Sequence, residues 1–375
     1  MTFAISTRAK ELKADGHHVI AFGVGEPDFD TPEHIKAAAA EALARPGAVA
    51  GYTPVAGTPA LREAAAEDLR ISGVAAEAGR VIVSCGAKHS LFNAMAVLLD
   101  DDDEAIIPAP YWVSYPSMAL AAGGRPVYVD TRPDGCVLTP ERLAAALTPR
   151  TRVLVFCSPG NPTGVTHTRA QMAALGEVLA QYPDVTVVSD EIYQHLVYDE
   201  TEFVPFAVAC PALADRTVTV RGCSKTFAMT GWRVGFAAGP ADVIGAMTRY
   251  QSHSTSNPPA IAQVAAIAAL TGPMEPVYAM REAFDMRRRL MVERLNAIDG
   301  CELYPPTGAF YCFPDLAARL GGETPLSFCT RLLDEQKVAC VPGEAFGAPT
   351  NIRFSYATSE ADIEEGCARF ARFLG

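Results

Sequence analysis

From Val81 onward the chain alternates short apolar runs with longer stretches whose apolar residues recur every three or four positions. The runs at 81–84, 105–107, 126–129, 152–157, 185–189 and 218–221 predict strands. The segments 87–99, 112–122, 140–147 and 168–181 predict the helices between them. Strands this short and this uniformly apolar are buried on both faces. Alternating with amphipathic helices, they predict a mainly parallel, doubly wound α/β sheet. Thr31-Pro32 and Thr58-Pro59 predict helix starts, with threonine as the cap and proline in the first turn. After about Gly272 the pattern changes. A helix of mixed charge is predicted over 275–295, strands over 301–313 and 351–355, and a closing helix over 360–373. The chain therefore divides into a large domain, 28–272, and a smaller discontinuous α+β domain made of 1–27 and 273–375.

Composition narrows the partners. The chain has 375 residues and a formal net charge of -12, which disfavours nucleic acid and anionic membrane because their phosphates would be repelled. A small anionic substrate feels only local charge and is not disfavoured. None of the ten cysteines forms a Cys-x-x-Cys pair. Cys85, Cys136, Cys157, Cys223, Cys312 and Cys340 lie in or beside apolar runs, as buried reduced thiols do in a reducing cytosol. The first eight residues lack the pattern of a signal peptide, and no run is long and apolar enough to span a bilayer. His17 and His18 are adjacent and do not share a helical face, so no metal spacing is read, and Arg287-Arg288-Arg289 is expected on a solvated helix face.

The chemistry concentrates at strand ends. The apolar run 218–221 leads into Gly222-Cys223-Ser224-Lys225, with Arg233 following. That places one lysine at the C-terminal end of a buried strand, where open α/β sheets bind ligands. A lysine holding an aldehyde cofactor as an imine needs this setting, with a cation nearby for a phosphate. Asp190 closes another apolar strand, and a desolvated carboxylate there would favour a protonated ring nitrogen. Tyr193 lies three residues on. Asn161 sits in Ser158-Pro159-Gly160-Asn161-Pro162-Thr163-Gly164, where one or both X-Pro bonds are candidates for the cis form. Gly86-Ala87-Lys88 opens a helix after a strand, and its free N–H groups suit an anion. Arg353 stands in an apolar strand, where its fork suits a carboxylate. Taken singly, each has an ordinary reading: a loop lysine, a helix-capping aspartate, a turn asparagine, an edge-strand arginine. Gly23-Val24-Gly25-Glu26-Pro27 lacks the third glycine of a dinucleotide loop and is rejected as one.

Together these segments, spread from residue 23 to residue 356, resemble the class I aminotransferases, and most closely their bacterial aspartate aminotransferase branch. The resemblance implies fold type I, with a seven-stranded sheet, and pyridoxal 5'-phosphate as cofactor. It implies Lys225 as the attachment site, Asp190 at the ring nitrogen, and Tyr193 and Asn161 at the ring oxygen. Trp112 would stack on the ring. Ala87, Lys88, Ser224 and Arg233 would hold the phosphate. Arg353 would take the substrate α-carboxylate, with Gly25, Trp112 and Asn161 also lining the substrate site. Tyr52 resembles the tyrosine that reaches the neighbouring subunit's phosphate, and Ser256-Asn257-Pro258 a segment that crosses the interface, so a cytoplasmic homodimer with shared active sites is implied. One branch binds the side-chain carboxylate with a partner arginine, and Ser252 occupies that position here. The bacterial branch uses a lysine after the glycines instead, which is Lys88. A dicarboxylic donor, aspartate or glutamate, and ping-pong transfer through pyridoxamine phosphate follow. An aromatic or prephenate aminotransferase, or a lyase or decarboxylase, would share these motifs. The chain begins at Met1 where the family carries a short arm over the active site, so a different lid is expected.

Overall fold

The computed structural model describes residues 2–375, with side chains from Ile5 onward; the start at Met1 lies outside the described residues. Seven strands form the central sheet: β1 Val81–Ser84, β2 Glu104–Ala109, β3 Arg125–Asp130, β4 Thr151–Cys157, β5 Thr186–Asp190, β6 Thr217–Gly222 and β7 Gly235–Ala238. Their order is β1-β7-β6-β5-β4-β2-β3. All run parallel except β7, which is antiparallel to both of its neighbours. β1, β5 and β7 are almost wholly buried, as strands of a sheet covered on both faces are. The seven-stranded, mainly parallel sheet that the resemblance implies is therefore present; six of its strands lie within two residues of their predicted places, and β7 was not predicted.

Register decides where chemistry can gather. Cys157 pairs with Asp190, Asp190 with Val220, and Gly235 with both Gly222 and Ser84. The C-terminal ends of β1, β4, β5 and β6 thus lie side by side. Helix Ala87–Leu98 leaves β1 at this edge and buries Leu91, Ala94 and Met95 against the sheet.

The remaining elements pack beside the sheet. Two-residue strands Ile20–Ala21 and Val338–Ala339 pair in parallel and tie the two ends of the chain together. Val341–Pro342, Ile352–Ser355 and Tyr311–Cys312 form a three-stranded antiparallel sheet. Helix Glu275–Asn296 and the closing helix Glu360–Leu374 cover it, and Phe284, Leu295, Phe354 and Phe370 fill the core between them.

Four expectations are corrected. The strand expected over 301–313 is reduced to Tyr311–Cys312, because Pro305 and Pro306 offer no N–H groups and Ala309 turns into positive φ. Thr31 does not cap a helix. Helix Glu33–Ala44 starts after Pro32, and the Thr31 hydroxyl donates to the Ala228 carbonyl at 2.8 Å while accepting from Trp232 Nε1 at 3.1 Å. The arginines at 287–289 are not a solvated face. Arg288 is buried and paired with Asp285 and Asp199, Arg287 pairs with Asp28 at 2.8 Å, and only Arg289 is open to solvent. All ten cysteines are free thiols, but Cys85, Cys136 and Cys157 are only partly buried. Among the described residues no single helix is long and apolar enough to cross a membrane. No cluster of three or more His, Cys, Asp or Glu among them is placed to hold a metal.

Candidate active site

A cleft of about 900 Å³ opens where the strand ends meet the N-terminal helix and the three-stranded sheet. Lys225 stands in it, on the single turn Cys223–Thr226 that follows β6. Its Nζ donates to the Gly25 carbonyl at 2.5 Å and has no carboxylate partner among the described residues. Burial pulls its pKa down to about 8, and the cations Arg353, Arg233 and Lys88 add to this against Glu26. The amine is therefore poised near neutrality.

Asp190, at the end of β5, is buried and makes no ion pair among the described residues. Tyr115 Oη donates to its Oδ2 at 2.6 Å, and the Ile192 N–H reaches Oδ1 at 3.3 Å. Burial raises its pKa to about 6, held back by the Tyr115 hydrogen bond. The neighbouring Glu191 faces the other way and is committed to Arg221 at 2.9 Å, an arginine that also pairs with Asp68 at 3.0 Å. That leaves Asp190 as the free carboxylate of the pair. Tyr193 is buried, its hydroxyl 3.1 Å from that of Tyr311, and burial raises its pKa well above the usual value.

An anion cradle lies at the end of β1. Gly86 caps the following helix at φ 87°, exposing the first-turn N–H groups of Ala87 and Lys88. Its shape depends on small residues. A Cβ on Gly235 would lie 2.1 Å from the Ala87 nitrogen, and one on Gly86 would lie 2.5 Å from Arg233 Nη2. Arg233, at φ 56° and ψ 54°, bends over this cradle, donating to the Thr230 carbonyl at 2.9 Å and pairing with no acid among the described residues. Ser224 lines the same wall.

Arg353 enters from the three-stranded sheet, on Ile352–Ser355, and is 6% exposed. It has no carboxylate partner among the described residues. Nη1 donates to Asn161 Oδ1 at 3.0 Å, Nη2 to the Gly23 carbonyl at 2.9 Å, and Nε has no partner. Its guanidinium lies 4.4 Å from the Tyr311 ring centroid. The Ser158-Pro159 and Asn161-Pro162 bonds are both cis. Trp112 stands against Tyr115 edge to face, and Lys88 Nζ lies 4.8 Å from the Trp112 ring centroid. Lys88 too lacks an acidic partner among the described residues, and burial followed by Arg233 lowers its pKa.

The structure thus brings Gly25, Ala87, Lys88, Trp112, Asn161, Asp190, Tyr193, Ser224, Lys225, Arg233 and Arg353 to one cleft. Tyr52 is not among them. It is 95% exposed on a loop outside the cleft. Two residues escaped the sequence reading. Tyr115 lies three residues after Trp112, in the first turn of helix Ser114–Ala121, and its aromatic spacing was the available signal. Tyr311 points into the cleft from an apolar run with nothing local to mark it.

The model of the family described as aminotransferase class I and II matches residues 17–370. An aspartate aminotransferase of Geobacillus stearothermophilus is 49% identical over 100% of this chain and 95% of its own length. An aspartate/prephenate aminotransferase of Cereibacter sphaeroides is 48% identical over 99% of this chain and 95% of its own. The solved aspartate aminotransferase of Thermus thermophilus with maleate has a TM-score of 0.93 at 44% identity, covering 99% of this chain and 96% of that one. With its fold shared and its length matched almost throughout, this chain belongs to the class I and II aminotransferases.

Proposed function

We propose that this aminotransferase uses pyridoxal 5'-phosphate to move the amino group of aspartate or glutamate to a 2-oxo acid such as 2-oxoglutarate. The observation that carries the reading is Arg353: a desolvated guanidinium with an unpartnered Nε and no carboxylate, in the same cleft as Lys225. A buried cation left so is costly unless an anion joins it, and an amino acid's α-carboxylate matches its fork.

The residues fit the cofactor. The cleft holds an amine at Lys225, a carboxylate at Asp190, and a cradle of N–H groups and Arg233 that a Cβ at residue 235 would fill. Pyridoxal phosphate, when bound, supplies an aldehyde that carries the amino group and a ring that draws electrons from the substrate α-carbon. Ala87, Lys88, Ser224 and Arg233 would hold its phosphate, Trp112 its ring face, Asn161 and Tyr193 its ring oxygen, and Asp190 its ring nitrogen. Lys225 Nζ takes a proton from the substrate α-carbon and returns it, and a neutral amine near pH 8 suits both directions. Arg353 orients the substrate, and the apolar walls of the cleft exclude water.

Lys88, unpaired with any acid among the described residues, is the candidate partner for a side-chain carboxylate. Relatives named for aspartate, and one solved with the dicarboxylate maleate, support the dicarboxylic class. A relative named for both aspartate and prephenate makes prephenate a second acceptor to test. The reading includes a homodimer, in which exposed Tyr52 reaches the partner's phosphate, the division into 28–272 and 1–27 plus 273–375, and a cytoplasmic setting suited to ten free thiols. Borohydride reduction of the cofactor-loaded protein should leave the adduct on the Lys225 peptide. A panel of amino donors with 2-oxoglutarate should favour aspartate or glutamate. Saturated, active protein with unmodified Lys225 would refute the reading.

A further inference from the structure

We propose that Tyr115 is a positioning residue for Asp190: by donating its hydroxyl to Oδ2, it keeps the proton shared between this carboxylate and a facing ring nitrogen on the ring. The inference rests on the cofactor reading above and adds a residue to it.

Asp190 is buried and has no cationic partner, and Tyr115 is its one side-chain donor among the described residues. The groups around it are Tyr115 from the helix Ser114–Ala121, Cys157 at the end of β4, Glu191 beside it and Lys225 beyond β6. Glu191 is engaged by Arg221 and the Cys157 thiol stays protonated, since burial pushes its pKa up. Lys225 acts on Asp190 less than Tyr115 does. Tyr115 is itself well fixed. It is 2% exposed, its N–H donates to the Trp112 carbonyl at 3.1 Å, and its ring meets Trp112 edge to face at 5.3 Å. Its own proton is secure, because burial raises its pKa well above the usual value. A ring nitrogen and a carboxylate compete for one proton, and each donor to the carboxylate makes it the weaker competitor. Without Tyr115, Asp190 keeps only the longer Ile192 N–H and the weaker pull of Lys225 against its burial, becomes the stronger competitor for the proton, and the ring gives up its charge at lower pH.

The test is Tyr115→Phe, which keeps the ring packing and removes the donor. Pyridoxal phosphate labelled with ¹⁵N in the ring reports protonation by NMR across pH. The wild-type holoenzyme should hold the proton over the tested range. The variant should lose it at a pH lower by about one unit or more, a shift of the size expected for one hydrogen bond to a charged group. A variant that binds cofactor on Lys225 and titrates like wild type overturns the proposal and leaves the function untouched. Wild-type protein that takes no cofactor overturns the function instead. The Asp190 carboxyl, followed by infrared in the ligand-free chain, still decides the Tyr115 contact: its midpoint should rise in Tyr115→Phe, and an unmoved midpoint sinks the proposal. Should the phenylalanine variant fail to fold, difluorotyrosine at 115 is a stronger donor of the same shape. It should move the carboxyl midpoint down, and no movement refutes.

Discussion

Raising the pH of the ligand-free protein through 8 should turn Lys225 from ammonium to free amine. Its pKa of about 8 lies well under the ordinary lysine value of 10.5, chiefly because burial penalises the charged form. At pH 7 the neutral fraction is then about 10%, against roughly 0.03% for an ordinary lysine, an advantage of about 300-fold. The same shift is a stability statement. A base whose folded pKa is depressed resists protonation in the folded state, so its penalty of about 3 kcal/mol is present below pH 8. The penalty is relieved as pH rises from 8 to 10.5, because the unfolded chain binds the proton across that window and the folded chain does not. Lys225→Met removes the penalty but also the hydrogen bond to the Gly25 carbonyl, worth about 1 kcal/mol. The variant should therefore be about 2 kcal/mol more stable than wild type at pH 7, with the difference shrinking above pH 8. Urea unfolding at several pH values measures this. Acylation of Lys225 by a limiting reagent, quantified by peptide mass spectrometry, should follow a midpoint near 8. A labelling midpoint near 10 and no stability difference would refute the burial argument.

Arg353→Lys keeps a charge but loses the planar fork, and should cost about 2–4 kcal/mol in kcat/KM for every amino donor, since all share the α-carboxylate. Lys88→Ala should lose about 1.5–3 kcal/mol for aspartate and glutamate and little for apolar donors, and equal losses would remove Lys88 from specificity. Gly235→Ala forces a Cβ to within 2.1 Å of the Ala87 nitrogen. It should cost about 1–3 kcal/mol in unfolding experiments and weaken cofactor binding in a titration. Arg221→Met strands Glu191 and Asp68 without their buried cation and should cost about 3–5 kcal/mol, read by denaturant midpoint.

The large sheet was legible because its strands are short, apolar and bounded by helices whose periodicity differs from theirs. The second region was harder. Between 301 and 313 the composition suits a strand, but two prolines and a turn at Ala309 leave only two residues paired, and those effects depend on neighbours the local pattern does not contain. The same limit shows at Thr31. Its hydroxyl has the right chemistry for a cap, yet Trp232 and Ala228, far away in the chain, bind it first. In the site, a charge at the end of, or inside, an apolar strand made Lys225, Asp190 and Arg353 conspicuous. Each had an ordinary reading taken singly, and only the resemblance of their segments to class I aminotransferases gave them roles. Tyr115 and Tyr311 were not conspicuous, because a buried tyrosine resembles any core aromatic until its hydroxyl is seen to meet another group. Arg288 misled for the opposite reason: its partner Asp199 is brought to it only by the fold.

The place of β7 bears on how the chain is made. β1 has β7 as its only neighbour in the large sheet, and β7 also separates β1 from β6. Emerging from a ribosome, β1 must therefore wait, with the backbone N–H and C=O groups of that edge unpaired, until Gly235–Ala238 has been synthesised. At usual translation speeds that wait is on the order of ten seconds. Throughout it the anion cradle has no floor, since the backbone of Gly235 provides it. A nascent chain halted between β6 and β7 already carries Lys225 and Asp190, yet has nowhere to seat a phosphate and an open edge that invites aggregation.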